Sequence, residues 1–562
     1  MKSKRIMALA LILLIALQCV VYVSASKDKQ YLHTDEVYSL GLAQYHNKNI
    51  QGNHDFYGNW HGGDYYKSYL VVDNYDVNNT EPVYKNQVEN NNPPFYYFFL
   101  RFYMEFSVGQ FSMMTSIVLN IMVYALTTLM MYFIAKRLFG GSTSGNWMAF
   151  LATAVASLVL STVSSVLFTD AYAMLTLHIV MLMFLYIKQY ESGSPNAWIA
   201  ILIALVIACG YLTHYSFIIF LASIYLFMTV RYIIKKQYKD IIWHTIPVIF
   251  GVGAGIYIFP ESVDHIKYIL AQSKIFAKLS DTKQLTESIK GYIGGINRYT
   301  FHLALYLILG VIAACVVVMI IKSASKNGDE SKEVVEVDSV DEANEAQEST
   351  LVPENNIEGE KEVKKPVKFA SASIILIPTL IYFIISAALH PTADIKYIYP
   401  ICGFIFILIA GALVWALNKA FGKIPAISAF VAVLAIILVL PTCVGLKAQH
   451  LYEDYTPVLE YVEENKNIPV LYAFDTSDDQ LIDTLYLLTK FESSYITRDW
   501  DINTSNMSNV FARKDISRGV IVMINANQDD EYILNTIKST LGLKEFEYVM
   551  DFKGADIYYI SN

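Results

Sequence analysis

The sequence predicts a polytopic all-α membrane protein with about eleven transmembrane helices and a small extracytoplasmic α/β domain at its C-terminal end. Hydrophobic residues make up 54% of the 562 residues and charged residues only 17%, whereas a soluble domain carries about a quarter. The apolar residues gather in runs of about 17–25, the length that a helix needs to cross the hydrocarbon core. The net charge of −9 arises largely from one loop and the C-terminal region, and no basic patch indicates nucleic-acid binding.

The apolar runs define the candidate spans. They lie near residues 6–24, 111–135, 146–167, 171–187, 197–211, 214–230, 242–259, 301–321, 369–389, 397–417 and 425–446. The first run follows three basic residues, and Ser24-Ala25-Ser26 at its end resembles the cleavage site of a signal peptide. We favour an uncleaved first span over a cleaved signal peptide, because the run is long and the later spans already make the chain polytopic.

Basic residues beside the short loops predict the orientation of the chain. With the N-terminus placed in the cytoplasm, every basic cluster next to a short loop falls on the cytoplasmic side, as the positive-inside rule requires. These residues are Lys136, Arg137, Lys188, Arg231, Lys235, Lys236, Lys239, Lys322, Lys364, Lys365, Lys368, Lys419 and Lys423. The sequence thus predicts a multi-pass cell-membrane protein whose C-terminal region lies outside the cytoplasm.

Three segments lie outside the membrane in this topology. Residues 25–110 form an outer loop rich in Tyr, Asn, His and Gly, within a membrane domain that spans residues 1–449. Residues 323–368 are dense in Asp and Glu and poor in aromatic residues, which favours a disordered cytoplasmic linker. The third segment, residues 450–562, is soluble in character, and the number of preceding spans places it outside the cytoplasm.

The C-terminal region alternates between two kinds of pattern. Apolar runs at 469–474 and 519–524 predict buried strands, and amphipathic patterns at 479–491 and 530–541 predict helices. Alternating strands and helices predict a small α/β domain with a mostly parallel sheet. We find neither a phosphate-binding loop nor a catalytic signature in it.

The five cysteines lie inside apolar runs, and none pairs with another by spacing. They are Cys19, Cys209, Cys315, Cys402 and Cys443. We therefore expect small core residues here, not disulfides or metal ligands.

Two adjacent carboxylates, Asp35 and Glu36, follow the first span at the start of the outer loop. One interpretation is helix capping, with Thr34 or Asp35 as the cap and Glu36 in the first turn. The other is functional, because ionisable residues at the end of a span are candidates for a site. The topology, which was drawn from Lys and Arg alone, places further ionisable residues at the same outer face: Asp170, His214 and Lys396.

Further along the outer loop, Asn92-Pro93-Pro94 precedes the aromatic stretch Phe95–Leu100. Two prolines end the preceding element and start a helix. The helix is aromatic and amphipathic, so we expect it to lie in the plane of the membrane interface before the second span. An ordinary membrane-surface helix would show the same pattern.

These motifs, in this order, resemble the GT-C superfamily of membrane glycosyltransferases. The resemblance is greatest to the protein O-mannosyltransferases, which use dolichyl-phosphate-mannose, and to the aminoarabinose transferases of lipid A, and it covers about residues 1–415. The matching segments are Asp35-Glu36, Asn92–Tyr97, Lys136–Gly140 and Asp170–Leu175, with weaker matches at Gly210–Tyr215 and Lys396–Pro400. Lys396 stands where the superfamily has arginine.

The resemblance implies transfer of a sugar from a polyprenyl-phosphate-linked donor to an acceptor hydroxyl outside the cytoplasm, with inversion at the anomeric carbon. It implies that Asp35 is the general base, which takes the proton from the attacking hydroxyl. Glu36 would orient the acceptor or join a metal site, and Asp170 would assist as a second acid.

The leaving group in such a reaction is the phosphate of the lipid, which needs positive charge nearby. Lys396, Arg101, Arg298 or a divalent metal ion could supply it. The other candidates that the resemblance implies for donor binding are His214, Tyr397, Asn92, Pro93 and Pro94, and the candidates for a metal site are Glu36 and His214.

Plain structural roles compete with these assignments. Asp170 could cap the fourth span, His214 could bond a neighbouring helix, and Lys396 could be an interfacial lysine whose stem lies in lipid. His54 and His61 fit ordinary loop chemistry better than a metal site, because no spacing typical of metal ligands is present.

Two other classes of protein compete with the transferase. They are a transporter or flippase of cell-envelope glycolipids, and an envelope protein whose C-terminal domain does the binding. We favour the transferase because the sequence shows no matching halves, its charges cluster at one face, and a large loop follows the first span. The sugar and the acceptor (protein, lipid or glycan) stay open. A composition heavy in Lys, Ile, Asn and Tyr hints at a bacterium, whose donor lipid would be undecaprenyl phosphate.

Overall fold

The computed structural model describes residues 2–44, 56–333, 368–422, 425–443, 454–475, 478–525 and 529–562. Residues 334–367, which make up most of the predicted acidic linker, lie outside these ranges, and so does His54.

The first 443 residues fold mainly into helices. In chain order the elements are α1 (Lys2–Ser26), α2 (Thr34–Leu42), β1 (Trp60–His61), α3 (Gly63–Lys67), α4 (Glu81–Glu89), α5 (Phe95–Met104), α6 (Met113–Phe139), α7 (Thr143–Leu158), α8 (Leu160–Leu167), α9 (Tyr172–Ser192), α10 (Ala197–Tyr211), α11 (Ser216–Ile234), α12 (Tyr238–Ile258), α13 (Ser262–Ser273), α14 (Ile275–Ser280), α15 (Thr282–Tyr299), α16 (Leu305–Glu333), α17 (Lys368–Leu389), α18 (Tyr399–Phe421) and α19 (Pro425–Cys443). Short 3-10 turns occur at Asn74–Asp76, Glu105–Ser107 and Ile395–Ile398.

Helices stand at every position where the sequence predicts a membrane span. By length and hydropathy, eight helices within the described ranges can cross a membrane, and nine if α7 and α8 form one bent span. These two helices meet at 51° around Val159, whose extended backbone (ψ 155°) interrupts the helix. Helix α10 and the Ala429–Leu440 part of α19 are apolar but shorter. The predicted all-α membrane fold is confirmed, while the number of spans stays a prediction.

Helix α5 is the predicted aromatic helix, and it begins directly after Pro94. Its buried face carries Tyr96 and Tyr97, while the ring of Phe102 on the other face is exposed. The backbone N–H of Phe95 donates to the carbonyl of Leu212 at 2.9 Å, which ties the start of α5 to the turn after α10.

The C-terminal region folds as a mixed α/β domain. Its elements are α20 (Thr456–Asn465), β2 (Val470–Phe474), α21 (Asp478–Leu488), β3 (Ser494–Arg498), α22 (Thr504–Phe511), β4 (Val520–Asn525), α23 (Asp530–Leu541), β5 (Glu545–Phe552) and β6 (Ala555–Ser561). The strand order is β1-β3-β2-β4-β6-β5. Strands β2 and β4, which the apolar runs predict, are confirmed.

The prediction of a mostly parallel sheet is wrong. Two of the five strand pairs in the described sheet are parallel: β2 with β3 and β2 with β4. Strand β6 forms a hairpin with β5 and is therefore antiparallel to it. Strand β6 is also antiparallel to β4 on its other side. Strand β1 comes from the outer loop and adds to the edge of β3 in antiparallel orientation.

The outer loop and the C-terminal domain share one apolar core. The indole N–H of Trp60 donates to the carbonyl of Val510 at 2.8 Å, and the N–H of Gly63 donates to that of Phe491 at 2.9 Å. A Cβ at Gly63 would lie 2.3 Å from the carbonyl oxygen of Thr489, so only glycine fits at this contact. The C-terminal domain therefore packs directly on the loop that carries the Asp-Glu pair.

The predicted orientation can be tested by cysteine labelling in whole cells. Glu81 and Lys236 are both exposed, and the predicted topology puts them on opposite sides of the membrane. In a chain without native cysteines, Glu81→Cys is expected to react with a membrane-impermeant maleimide from outside. Lys236→Cys is expected to react only after permeabilisation. Equal labelling of both positions in intact cells would contradict the orientation.

Candidate active site

A buried ion pair fixes the start of the outer loop. Lys29 Nζ lies 2.5 Å from Glu36 Oε1, and both side chains are fully buried. The same Glu36 oxygen accepts the backbone N–H of Thr169 at 2.6 Å, and Lys29 also donates to the carbonyl of Leu167 at 2.7 Å. The loop after α1 is thereby bound to the turn between α8 and α9.

Glu36 also completes the cap of α2. Its Oε2 accepts the backbone N–H of His33 at 2.8 Å, and His33 Nδ1 accepts the N–H of Asp35 at 3.2 Å. Burial lowers the pKa of His33, which favours the neutral imidazole that this cap needs. The capping interpretation is correct for Glu36 but names the wrong cap, because His33 holds that position in place of Thr34 or Asp35. Glu36 thus holds the start of α2 in place through hydrogen bonds with the backbone N–H groups of His33 and Thr169.

The carboxylate of Asp35 faces a lysine that lies far from it in the sequence. Asp35 Oδ2 lies 2.5 Å from Lys396 Nζ, and the two residues are 361 positions apart. The Asp35 side chain is 36% exposed, whereas that of Lys396 is 9% exposed. The Lys396 ammonium also lies 3.6 Å from Asp394, whose carboxylate accepts the N–H of Lys396. One partly accessible carboxylate thus shares a nearly buried cation with a second carboxylate.

Asp170 is the third acid of this cluster. Its Oδ1 accepts the backbone N–H of Ala171 at 2.5 Å, just before α9 begins. Burial, and then the negative charge of Asp35, raise the pKa of Asp170 to about 8. The cap position of α9 belongs to Ala171, so Asp170 does not cap this span in the way that the sequence allowed.

Aromatic and imidazole rings line the cluster. Tyr172 lies 5.2 Å from the ring of His214 and 6.1 Å from that of Tyr397, which stacks on His390 at 3.6 Å. Burial lowers the pKa of both histidines to about 4, so both are neutral at physiological pH. His214 Nδ1 accepts the N–H of Ser216 at 3.0 Å, so this nitrogen is already engaged.

The structure distributes the other predicted residues around this cluster. Arg101 is buried and pairs with Glu105 at 3.0 Å on its own helix. Pro93 and Pro94 are buried at the start of α5, next to a partly buried Asn92. The exposed Arg298 lies at the end of α15, and His61 stacks on Tyr65 at 3.6 Å.

Sequence reasoning missed four members of the site: Lys29, His33, His390 and Asp394. The sequence could have indicated Asp394 and His390, because they precede Lys396 by two and six residues at the same predicted face. Lys29 and His33 gave no signal of their own, since their roles depend on contacts with α8 and α2.

The metal site that the sequence allowed does not fit these residues. Within the part of the chain that the structure describes, there is no group of three His, Cys, Asp or Glu residues that could hold a metal ion. Both oxygens of Glu36 accept hydrogen bonds from protein donors, and His214 Nδ1 accepts one as well. Lys396 is the cation that contacts Asp35 and Asp394.

The chain is similar to one known protein family and to several solved structures. Residues 91–260 match the family model described as dolichyl-phosphate-mannose-protein mannosyltransferase. The chain is similar to ArnT from Cupriavidus metallidurans in the apo state, with 10% identity, a TM-score of 0.50, and 98% of this chain and 97% of that chain covered. The curated proteins contain no match.

Two further solved structures are more distant. ArnT from the same organism bound to undecaprenyl phosphate has 11% identity and a TM-score of 0.48, with 98% and 97% of the two chains covered. The archaeal oligosaccharyltransferase AglB from Archaeoglobus fulgidus, in complex with an inhibitory peptide and a dolichol-phosphate, has 11% identity and a TM-score of 0.36, with 96% and 74% covered.

The fold is that of ArnT. The predicted resemblance to the GT-C superfamily is confirmed by the family match over residues 91–260 and by this fold. Of the residues in the cluster, Asp170 and His214 lie within the matched residues 91–260, whereas Asp35 and Lys396 lie outside them.

The buried pair makes a testable contribution to stability. Lys29→Met leaves the Glu36 carboxylate buried without its cation, which is expected to destabilise the protein by about 3–5 kcal/mol. The double variant Lys29→Met/Glu36→Gln is expected to recover much of that loss, since the glutamine oxygen still accepts hydrogen bonds. Thermal unfolding of the purified protein in detergent measures both.

The control is Lys267→Met, which removes an exposed ion pair with Asp264 and should change stability by less than about 0.5 kcal/mol. If Lys29→Met unfolds at the same temperature as this control, the structural role of the pair is refuted.

Proposed function

We propose that this protein transfers a sugar from a polyprenyl-phosphate-linked donor to a hydroxyl of an acceptor outside the cytoplasm, with Asp35 as the general base. The observation that carries the proposal is the Asp35–Lys396 contact of 2.5 Å, in which an accessible carboxylate meets a cation at one end of the membrane helices. A reaction of this class needs a base for the acceptor and positive charge for a phosphate at one place.

The proposed reaction is a single displacement. The acceptor oxygen forms a bond to the anomeric carbon, and its proton passes to Asp35. The bond between the anomeric carbon and the phosphate oxygen breaks, and the lipid phosphate leaves with the bonding electrons. One displacement inverts the configuration of the anomeric carbon.

Lys396 would serve two partners in turn. Without donor, its ammonium is held by Asp35 and Asp394. A donor phosphate at the membrane face would compete for the same ammonium and stabilise the leaving group. This exchange would free an oxygen of Asp35 for the acceptor hydroxyl at the time when the donor is in place.

Asp170 would act as a neutral acid beside the base. Because its pKa is raised to about 8, its carboxyl is largely protonated at physiological pH and can donate a hydrogen bond. Above that pH it would place a second negative charge next to Asp35 and close to the donor phosphate. The rings of Tyr172 and Tyr397 would form the apolar wall of the same space.

This geometry and the family match both support a lipid-linked donor. A substrate whose phosphate reaches Lys396 while its chain stays in the bilayer fits an enzyme whose charges lie at one membrane face. The matched family is described by a dolichyl-phosphate-linked mannose donor. For a bacterial source we propose undecaprenyl phosphate as the carrier.

Sugar transfer by membranes that contain the Asp35→Asn variant tests the proposed base. With a panel of polyprenyl-phosphate sugars, the native chain should transfer sugar, and the variant should lose at least about 100-fold in rate, as expected for loss of a general base. The matched control is Asp28→Asn, which removes an exposed carboxylate from the same loop and should keep the native rate. Native sugar transfer by Asp35→Asn would exclude Asp35 as the base and would require another group to take the proton.

The pH dependence of transfer tests Asp170. The carboxyl is neutral below a pKa of about 8 and charged above it, so native activity should fall as the pH rises through 8. Asp170→Asn stays neutral, and this alkaline decline should be absent from its profile. An unchanged alkaline limb in Asp170→Asn would assign the decline to another group.

A further inference from the structure

The segment that leads into Asp35 is held by the C-terminal domain. Gln30 Nε2 donates to Thr456 Oγ1 at 2.8 Å, and the Tyr31 hydroxyl donates to the carbonyl of Asp483 at 2.8 Å. These bonds join residues 426 and 452 positions apart in the chain. The C-terminal domain therefore contacts the residues immediately before the proposed base.

Tyr31 anchors this contact. Its side chain is 1% exposed, and its ring lies 4.7 Å from Tyr455, 5.0 Å from Tyr486 and 5.1 Å from Phe552. All three rings belong to the C-terminal domain. Displacing the segment would break an aromatic cluster that is shut off from solvent.

Lys553 and Asp483 extend the contact to the first residue of α2. Asp483 Oδ1 accepts the hydroxyl of Thr34 and lies 3.3 Å from Lys553 Nζ. The same ammonium donates to the carbonyl of Leu32 at 3.3 Å and lies 4.7 Å from the centre of the Tyr31 ring. This network therefore ends on Thr34, one residue before Asp35.

Lys553 occupies a backbone position that does not suit lysine. Lys553 and Gly554 connect β5 to β6, and both have positive φ, of 51° and 78°. Two-residue hairpin turns with positive φ at both positions favour Asn or Asp followed by Gly. A lysine at a disfavoured backbone position indicates that the contacts of its side chain have a function.

We infer that the C-terminal domain fixes Asp35 in its orientation towards Lys396, with Lys553 and Asp483 as positioning residues. The inference rests on the proposed role of Asp35 as base. Helix α2 has nine residues, too few to be stable alone, so contacts at its start set its direction. Glu36 supplies the contact with the membrane helices, and Thr34 supplies the contact with the C-terminal domain.

The variant Lys553→Asn separates positioning from stability. Asparagine suits the turn better than lysine, so the melting temperature of the full-length protein should be equal to or higher than that of the native chain. Loss of the ammonium should lower kcat for sugar transfer by about tenfold or more, since small displacements of a catalytic group are costly in rate. The KM for the lipid-linked donor should change by less than about twofold, because Lys396 is untouched.

Two controls complete the experiment. Lys553→Arg keeps the charge and should restore most of kcat. Lys466→Asn removes an exposed ion pair with Glu463 in the same domain, away from Asp35, and should leave both constants unchanged.

Each outcome bears on one of the two proposals. If Asp35→Asn is inactive and Lys553→Asn keeps native kcat, the positioning inference is wrong while the proposed base stands. A Lys553→Asn variant that loses kcat only in proportion to a fall in melting temperature also overturns the inference. An active Asp35→Asn removes the proposed base, and the positioning inference falls with it.

Discussion

Lys29 and Glu36 are buried together at the point where the outer loop leaves the first helix. Glu36 accepts hydrogen bonds from Lys29, from the backbone of His33 and from the backbone of Thr169. Through these bonds one carboxylate joins the cap of α2 to the turn that carries Asp170. Because an unpaired buried charge is strongly unfavourable, this pair holds the two segments together, and the position of Asp35 depends on it.

Near that junction, two carboxylates share one cation. Asp35 and Asp394 both contact Lys396, and the raised pKa of Asp170 keeps a third acid neutral at physiological pH. In the proposed reaction, a donor phosphate would compete with these two carboxylates for the Lys396 ammonium and so release Asp35. The imidazoles of His214 and His390, which are neutral at physiological pH, add no charge to this competition.

Much of this architecture could be predicted from the sequence, because membrane helices leave a strong record in long apolar runs and in the sidedness of lysine and arginine. The same record placed Asp35, Asp170 and Lys396 at one face, although it could not show that Asp35 touches Lys396. It missed the cap of α2, since a histidine rarely serves there, and it missed Lys29, whose partner is set by tertiary packing. The mixed sheet was missed because β1 is only two residues long and far away in sequence, and because the hairpin of β5 and β6 was not recognised.

That two-residue strand determines the order in which the molecule can be assembled. Trp60 and His61 are made early in synthesis, but their partners on β3 come more than 430 residues later, and the Val510 carbonyl that binds Trp60 comes 450 residues later. Closing so long a loop has to wait for the end of the chain. The contacts between the outer loop and the C-terminal domain can therefore form only after nearly the whole chain has been made.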